Sequence, residues 1–132
     1  MNLDKWRSIA YEEFFNIEQY RSHNHVSIIT RDNRILGIGI NRRKTHPLAA
    51  TYVYRFGELH SELDALIKIP KNQRYNMTLI NFRFGPKGNM KLSKPCTKCL
   101  PWCCSLFEDI WYSIPDGLVK MEYDKATSNP LH

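Results

Sequence analysis

The sequence has no acidic residue between Asp64 and Glu108, although the same stretch holds Lys68, Lys71, Arg74, Arg83, Lys87, Lys91, Lys94 and Lys98. That absence gathers the net charge of +6 onto part of the surface. It is consistent with a solvated basic face or with an anionic partner such as a nucleotide phosphate or a nucleic acid. Also missing is any apolar run long enough to cross a bilayer, so no helical membrane span is expected. The opening residues, MNLDKWRSIAYEEFF, carry acids and an amphipathic pattern where a secretory signal would carry an apolar block. An intracellular, cytoplasmic protein with no membrane partner is the resulting expectation. Cysteine is absent except in one nine-residue window, Cys96, Cys99, Cys103 and Cys104. Thiols so close together cannot staple distant parts of a secreted fold, which leaves metal binding or simple burial. No repeat, low-complexity segment or linker interrupts the chain. Its 132 residues, 42% of them hydrophobic, fit one globular domain over residues 1–132.

Apolar periodicity predicts alternating elements. From Leu3 to Tyr20, Trp6, Ile9, Ala10, Phe14 and Ile17 recur at helical spacing with charged residues between them. HVSIIT and RILGIGIN are β-branched runs on either side of Asp32 and Asn33, the pattern of a hairpin. HPLAATYVYRFGE reads as a loop, and HSELDALIKIP as a helix with Leu63, Leu66 and Ile67 on one face and Pro70 as its stop. YNMTLINFRF alternates as a third strand, CTKCLPWCCSLFED suits a third helix, and IWYSI a fourth strand. A further strand is expected at Lys120 to Tyr123. The order indicates an α/β protein, a three-layer α/β/α sandwich around a mixed sheet of about five strands.

His60 and Glu62 stand one residue apart at the start of the second predicted helix. Residues i and i+2 of a regular helix diverge, so the two can share a site only at the first turn, where the helix dipole favours an anion such as hydroxide. The bland alternative is a capping or half-buried histidine. In Lys94-Pro95-Cys96-Thr97-Lys98-Cys99, two thiols three residues apart fall on one face of a first helical turn. There the N-terminal field and the neighbouring lysines lower thiol pKa and prepare the sulfurs for a metal. A thioredoxin-like redox pair is the other reading of this spacing, but it gives no role to His60.

The fourth ligand separates a structural zinc site from a catalytic one. Cys103 lies seven residues beyond Cys96, which is about 10 Å along a helix at ~1.5 Å per residue, whereas two sulfurs on one zinc are at most about 4.6 Å apart. Cys103 and Cys104 are therefore expected in the core. Zinc would be held by His60, Cys96 and Cys99, with its remaining position open to water.

Taken together, His60-Ser61-Glu62 and Pro95-Cys96-Thr97-Lys98-Cys99 resemble the H-x-E…P-C-x-x-C signature of zinc-dependent nucleobase deaminases. The predicted element order resembles the cytidine-deaminase-like fold over nearly the whole chain. The resemblance implies a hydrolytic deaminase in which zinc activates water and Glu62 carries protons without binding the metal. Ser61 replaces the commoner alanine, and its backbone would still reach the base. Asn41, which closes Gly39-Ile40-Asn41, matches an asparagine that hydrogen-bonds the substrate sugar in similar deaminases, with a turn asparagine as the plain alternative.

A histidine ligand is more similar to the deoxycytidylate, transfer-RNA adenosine and polynucleotide cytosine deaminases than to the free-cytidine enzymes. Trp111-Tyr112 resembles the aromatic pair of cytosine deaminases, with Tyr112 the ring expected near the base and core packing the alternative. Arg42, Arg43 and Lys44 follow Asn41, so Arg43 and Lys44 are expected to bind a 5′-phosphate or guide a strand. The leading expectation is conversion of cytosine to uracil in a deoxycytidylate-like nucleotide. The rivals are a cytosine deaminase of single-stranded DNA or RNA that stacks bases on exposed aromatics such as Phe82 or Trp102, an RNA adenosine deaminase, and a non-catalytic zinc domain that binds nucleic acid. Homo-oligomerisation is common for this fold, and no residue here specifies it.

Overall fold

A computed structural model describes residues 1–15, 24–41, 60–96, 99–124 and 129–130. Helix α1 spans Leu3–Phe15 and buries Trp6, Ala10 and Phe14. The four-residue spacing of those three puts them on one face. Ile17 and Tyr20, expected to continue the helix, lie outside the described residues.

Strands β1 (Asn24–Arg31) and β2 (Arg34–Ile40) form an antiparallel hairpin. Asp32 and Asn33 turn it with φ of 52° and 63°, the left-handed pair that matches the twist of the strands it joins. The sheet continues through β3 (Thr78–Phe84) to β5 (Asp109–Ile114) and β6 (Gly117–Lys120), in the order β2-β1-β3-β5-β6. A short strand β4 (Met90–Lys91) also pairs with β3. Only β3 and β5 run parallel, so the sheet is mixed. The parallel pair requires a crossover, and helix α3 (Leu100–Leu106) lies on it. Helix α2 (Ser61–Ile67) comes between β2 and β3.

Alternation along each strand sorts the side chains into two clusters on opposite faces. Val26, Ile28, Ile80, Phe82 and Phe84 pack with Trp6, Ala10 and Phe14 of α1. Ile29, Leu79 and Ile110 pack with Leu63, Ala65 and Leu66 of α2 and Cys103 and Cys104 of α3. Helices therefore cover both faces of a mixed sheet, the expected α/β sandwich.

Three boundaries differ from the sequence-based expectation. Helix α3 begins at Leu100, not Cys96, because a helix started at Cys96 would carry Pro101 in its second turn, where the ring clashes with a carbonyl and an N–H is missing. With the start at Leu100, Pro101 falls in the first turn, which needs no N–H. The helix also stops short of Asp109, since Phe107 turns extended with ψ 141° and leads into β5. The strand expected at Lys120 to Tyr123 is instead β6, ending at Lys120, because the register pairs Ile114 with Gly117 and Trp111 with Lys120 around Pro115 and Asp116. The next residues enter a separate two-stranded ribbon of β7 (Tyr123–Asp124) and β8 (Asn129–Pro130).

Helix α2 sits directly on the backbone of β2. A Cβ on Gly39 would lie 2.2 Å from the Ala65 nitrogen and 2.3 Å from the Ser61 oxygen, and one on Gly37 2.6 Å from the Ala65 oxygen, so only glycine permits this approach. Buried Asp64 fastens the pair. Its carboxylate accepts the Ile40 N–H at 2.9 Å and faces the Lys68 ammonium at 3.5 Å, while that ammonium donates to the Ile38 carbonyl at 2.6 Å. The first turn of α2 is thereby fixed over the sheet.

Candidate metal centre

His60 precedes α2 in an extended conformation, φ −70° and ψ 152°, and its carbonyl accepts the Asp64 N–H at 2.9 Å. Its side chain is thus set at the helix start, ahead of the buried Ser61 and Glu62. Cys96 and Cys99 come from the crossover between β3 and β5, just before α3. The Cys96 carbonyl accepts the N–H groups of Cys99 at 3.0 Å and Leu100 at 2.9 Å, which closes a tight turn and aims both thiols the same way.

The Cys96 and Cys99 sulfurs are 3.5 Å apart, and His60 Nδ1 lies 3.6 Å from the first and 3.4 Å from the second. Tetrahedral zinc with metal–sulfur bonds of ~2.3 Å and metal–nitrogen bonds of ~2.0 Å has edges of roughly 3.8 Å between sulfurs and roughly 3.5 Å between sulfur and nitrogen. The three atoms are therefore spaced as one face of such a tetrahedron. They can hold one metal ion, and a two-thiol, one-imidazole set is compatible with zinc. Cys99 is buried, His60 half-buried and Cys96 exposed, so the site lies at the edge of the core.

Cys103 and Cys104 take the expected buried positions, in the core cluster shared by α2 and α3. Burial pushes the Cys103 thiol well up, reinforced by the nearby Glu62 carboxylate. The Cys104 thiol is also raised by burial, against the opposing effect of Lys94. Both lie outside the His60, Cys96 and Cys99 group and pack as small core residues.

Glu62 is only 5% exposed. Its Oε1 accepts a hydrogen bond from Asn81 Nδ2 at 2.8 Å, and its Oε2 lies 3.7 Å from Cys99 Sγ, on the side of the three ligand atoms. Burial raises its carboxyl above the ordinary 4.5. Its backbone hydrogen bond, the His60 charge and the Asn81 amide pull the other way, and Cys96 adds to the rise. Burial therefore makes this carboxyl hold a proton more tightly than an exposed glutamate would.

A polar seam runs behind it. Ser61 and Ser27 share a hydrogen bond at 2.7 Å, and Ser27 donates to Asn81 Oδ1 at 2.6 Å. Ser93 donates to the Asn81 carbonyl at 2.8 Å, and the Ser113 backbone N–H donates to Ser93 Oγ at 2.7 Å. Sequence reasoning missed Ser27, Asn81, Ser93 and Ser113. The available signal was Asn81 itself, an amide in the middle of the apolar strand TLINFRF.

Of the other expected site residues, Ser61 turns its hydroxyl inward to this seam. Asn41 lies just past β2, where its Oδ1 accepts the His25 N–H at 3.0 Å and ties the ends of the first two strands together. Tyr112 pairs with Asn81 across β3 and β5 and packs against the cluster that contains Cys99, whereas Trp111 packs on the α1 face. Arg43 and Lys44, with Arg42, lie outside the described residues. Phe82, expected as an exposed stacking ring, is fully buried under α1, because the alternation of β3 turns it away from Asn81. Trp102 is half-buried beside Phe107. His25 and the cations Arg83 and Lys91 form a cross-strand row on the Asn81 face, with Lys94 two residues before Cys96.

Among the described residues, no helix is long and apolar enough to cross a membrane. Compared with protein-family models and with curated proteins, the chain matches none.

Proposed function

We propose that the protein is a zinc-dependent hydrolase that deaminates a cytosine base to uracil, with a deoxycytidylate-like nucleotide as substrate. The observation that carries this reading is the triangle of Cys96, Cys99 and His60, with edges of 3.4 to 3.6 Å, and a buried carboxylate oxygen just beyond it. A purely structural zinc would need a fourth protein ligand, and none of the other described residues joins the cluster. Zinc in this site supplies a Lewis acid that lowers the pKa of water towards neutrality.

The chain's own part in the chemistry falls to Glu62. Its carboxylate takes a proton from the attacking water and passes it to the ring nitrogen, then takes the second proton and passes it to the exocyclic amine. Cytosine and water thereby become uracil and ammonia. Burial suits the residue to this task, because a raised carboxyl pKa lets it hold the proton between steps. Tyr112 would border the base, Ser61 the backbone beside it and Asn41 the sugar. The row of His25, Arg83 and Lys91 favours an anionic substrate, with Arg43 and Lys44 as further phosphate contacts.

A mononucleotide is preferred over a single strand because the burial of Phe82 removes one of the two rings a stacking track would use. The test offers the zinc-loaded protein deoxycytidylate and a cytosine-containing single strand together and follows both products by mass spectrometry. Nucleotide conversion by the wild type, lost by at least about 100-fold in Glu62→Gln with zinc content unchanged, supports the reading. Conversion of the strand alone moves the substrate class to nucleic acid. Zinc binding without conversion of cytosine or of RNA adenosine leaves a binding module.

A further inference from the structure

Asn81 is only 1% exposed, and its amide is held at both ends. Ser27 Oγ donates to Oδ1 at 2.6 Å, and Nδ2 donates to Glu62 Oε1 at 2.8 Å. A serine hydroxyl has a single hydrogen. Ser27 gives its hydrogen to Asn81, so in their 2.7 Å contact Ser61 must be the donor to Ser27. The donor order therefore runs one way, from Ser61 through Ser27 and Asn81 to Glu62. It ends on an N–H that can only donate, with a carboxylate oxygen as acceptor.

We infer that Asn81 is a positioning residue whose amide holds Glu62 Oε1 and thereby turns Oε2 towards Cys99, on the side of the metal ligands. Without the Asn81 amide, the described contacts leave Oε1 no other side-chain donor to fix its direction. Oε2 is left to the other side, where it accepts from the Cys99 thiol at 3.7 Å. The strand that bears Asn81 is held on both sides in the sheet, by β1 and by β5. The carboxyl thus takes its orientation from the most enclosed part of the sheet, and not from its own seven-residue helix. This inference rests on the deaminase reading for the use of the carboxyl, but the orientation itself is independent of it.

The experiment compares the zinc-loaded wild type with Asn81→Ala and Ser27→Ala, by crystal structure and by kinetics on deoxycytidylate. Ser27→Ala removes two buried hydrogen bonds of the same seam, to Asn81 and with Ser61, but leaves the Asn81 donor in place, and so serves as the structural control. In Asn81→Ala the Glu62 carboxyl should rotate or occupy two orientations, and kcat should fall by about 10- to 100-fold with KM and zinc content within twofold. Ser27→Ala should keep the Glu62 orientation and lose no more than about threefold in kcat. If Asn81→Ala does not fold, Asn81→Ser carries the same test, since its hydroxyl stops short of Glu62. A Glu62 carboxyl that keeps its orientation without the Asn81 amide overturns the inference, as does an equal loss of kcat in both variants. If the wild type has no turnover, the deaminase reading fails while the crystal structures still decide whether Asn81 orients Glu62.

Discussion

On the α1 side of the sheet, Phe82 and Phe84 lie stacked with ring centres 5.9 Å apart, against Phe14 and Trp6. On the α2 and α3 side, the same strands present Ser27 and Asn81, and the buried groups facing them include Ser61, Glu62 and Ser93. A β-strand alternates its faces residue by residue, so one seven-residue segment, TLINFRF, serves both layers. The first face gains its stability from area removed from water and has no directional demand. The second gives up some of that area for polar groups that must each be satisfied. Their reward is orientation, because hydrogen bonds fix where a carboxyl points and methyl groups do not.

The contrast is broken most severely by Phe82→Ala. Removing a fully buried ring should cost about 3–5 kcal/mol, measured by chemical denaturation of the zinc-loaded protein. Because the ring lies behind the sheet from the metal ligands, the protein that remains folded should bind one zinc as tightly as the wild type in a competition titration with a chelating dye. A parallel loss of zinc affinity would show that the two faces are not separable.

Gly39→Ala acts from the other side. The added methyl would meet backbone atoms of α2 at 2.2 and 2.3 Å, so the helix must shift, with an overpacking cost of about 1–3 kcal/mol. Since α2 carries Glu62 and starts at His60, zinc affinity should fall here although the loss of stability is smaller than in Phe82→Ala. The reversed order of the two variants, by stability and by zinc affinity, is the expected result. The same titration checks it.

The parts of this arrangement that were legible in the sequence are those set by local physics. Asp32 and Asn33 announce a tight hairpin because few other residues accept positive φ, and Trp6, Ala10 and Phe14 announce a helix by spacing alone. His60, Cys96 and Cys99 were legible as a candidate metal-binding set because the residue types are unusual in that pattern. The start of α3 was misplaced because its position depends on how Pro101 is accommodated. Phe82 was misassigned because a charged neighbourhood suggested exposure, while the alternation of β3 decides it. Asn81 was not legible as a partner of Glu62, since nothing between the two residues says that β3 will pass under the first turn of α2. That encounter is fixed by the sheet order and by the glycines of β2.

The smallest expected effect concerns the charge of Glu62 in metal-free protein. Its carboxyl is raised above the ordinary 4.5 by burial, so the folded state binds this proton more tightly than the unfolded chain does. The resulting stabilisation is complete below the ordinary value and is lost as pH rises through the raised folded value. Unfolding free energies of the metal-free wild type should therefore decline over that window, and Glu62→Gln, which has no proton to lose, should remove this part of the decline. Phe82→Ala should shift the whole curve down without changing its shape. If Glu62→Gln and the wild type trace parallel curves, the Asn81 amide and the His60 charge offset burial fully, and the polar seam supplies orientation without any cost that pH can reveal.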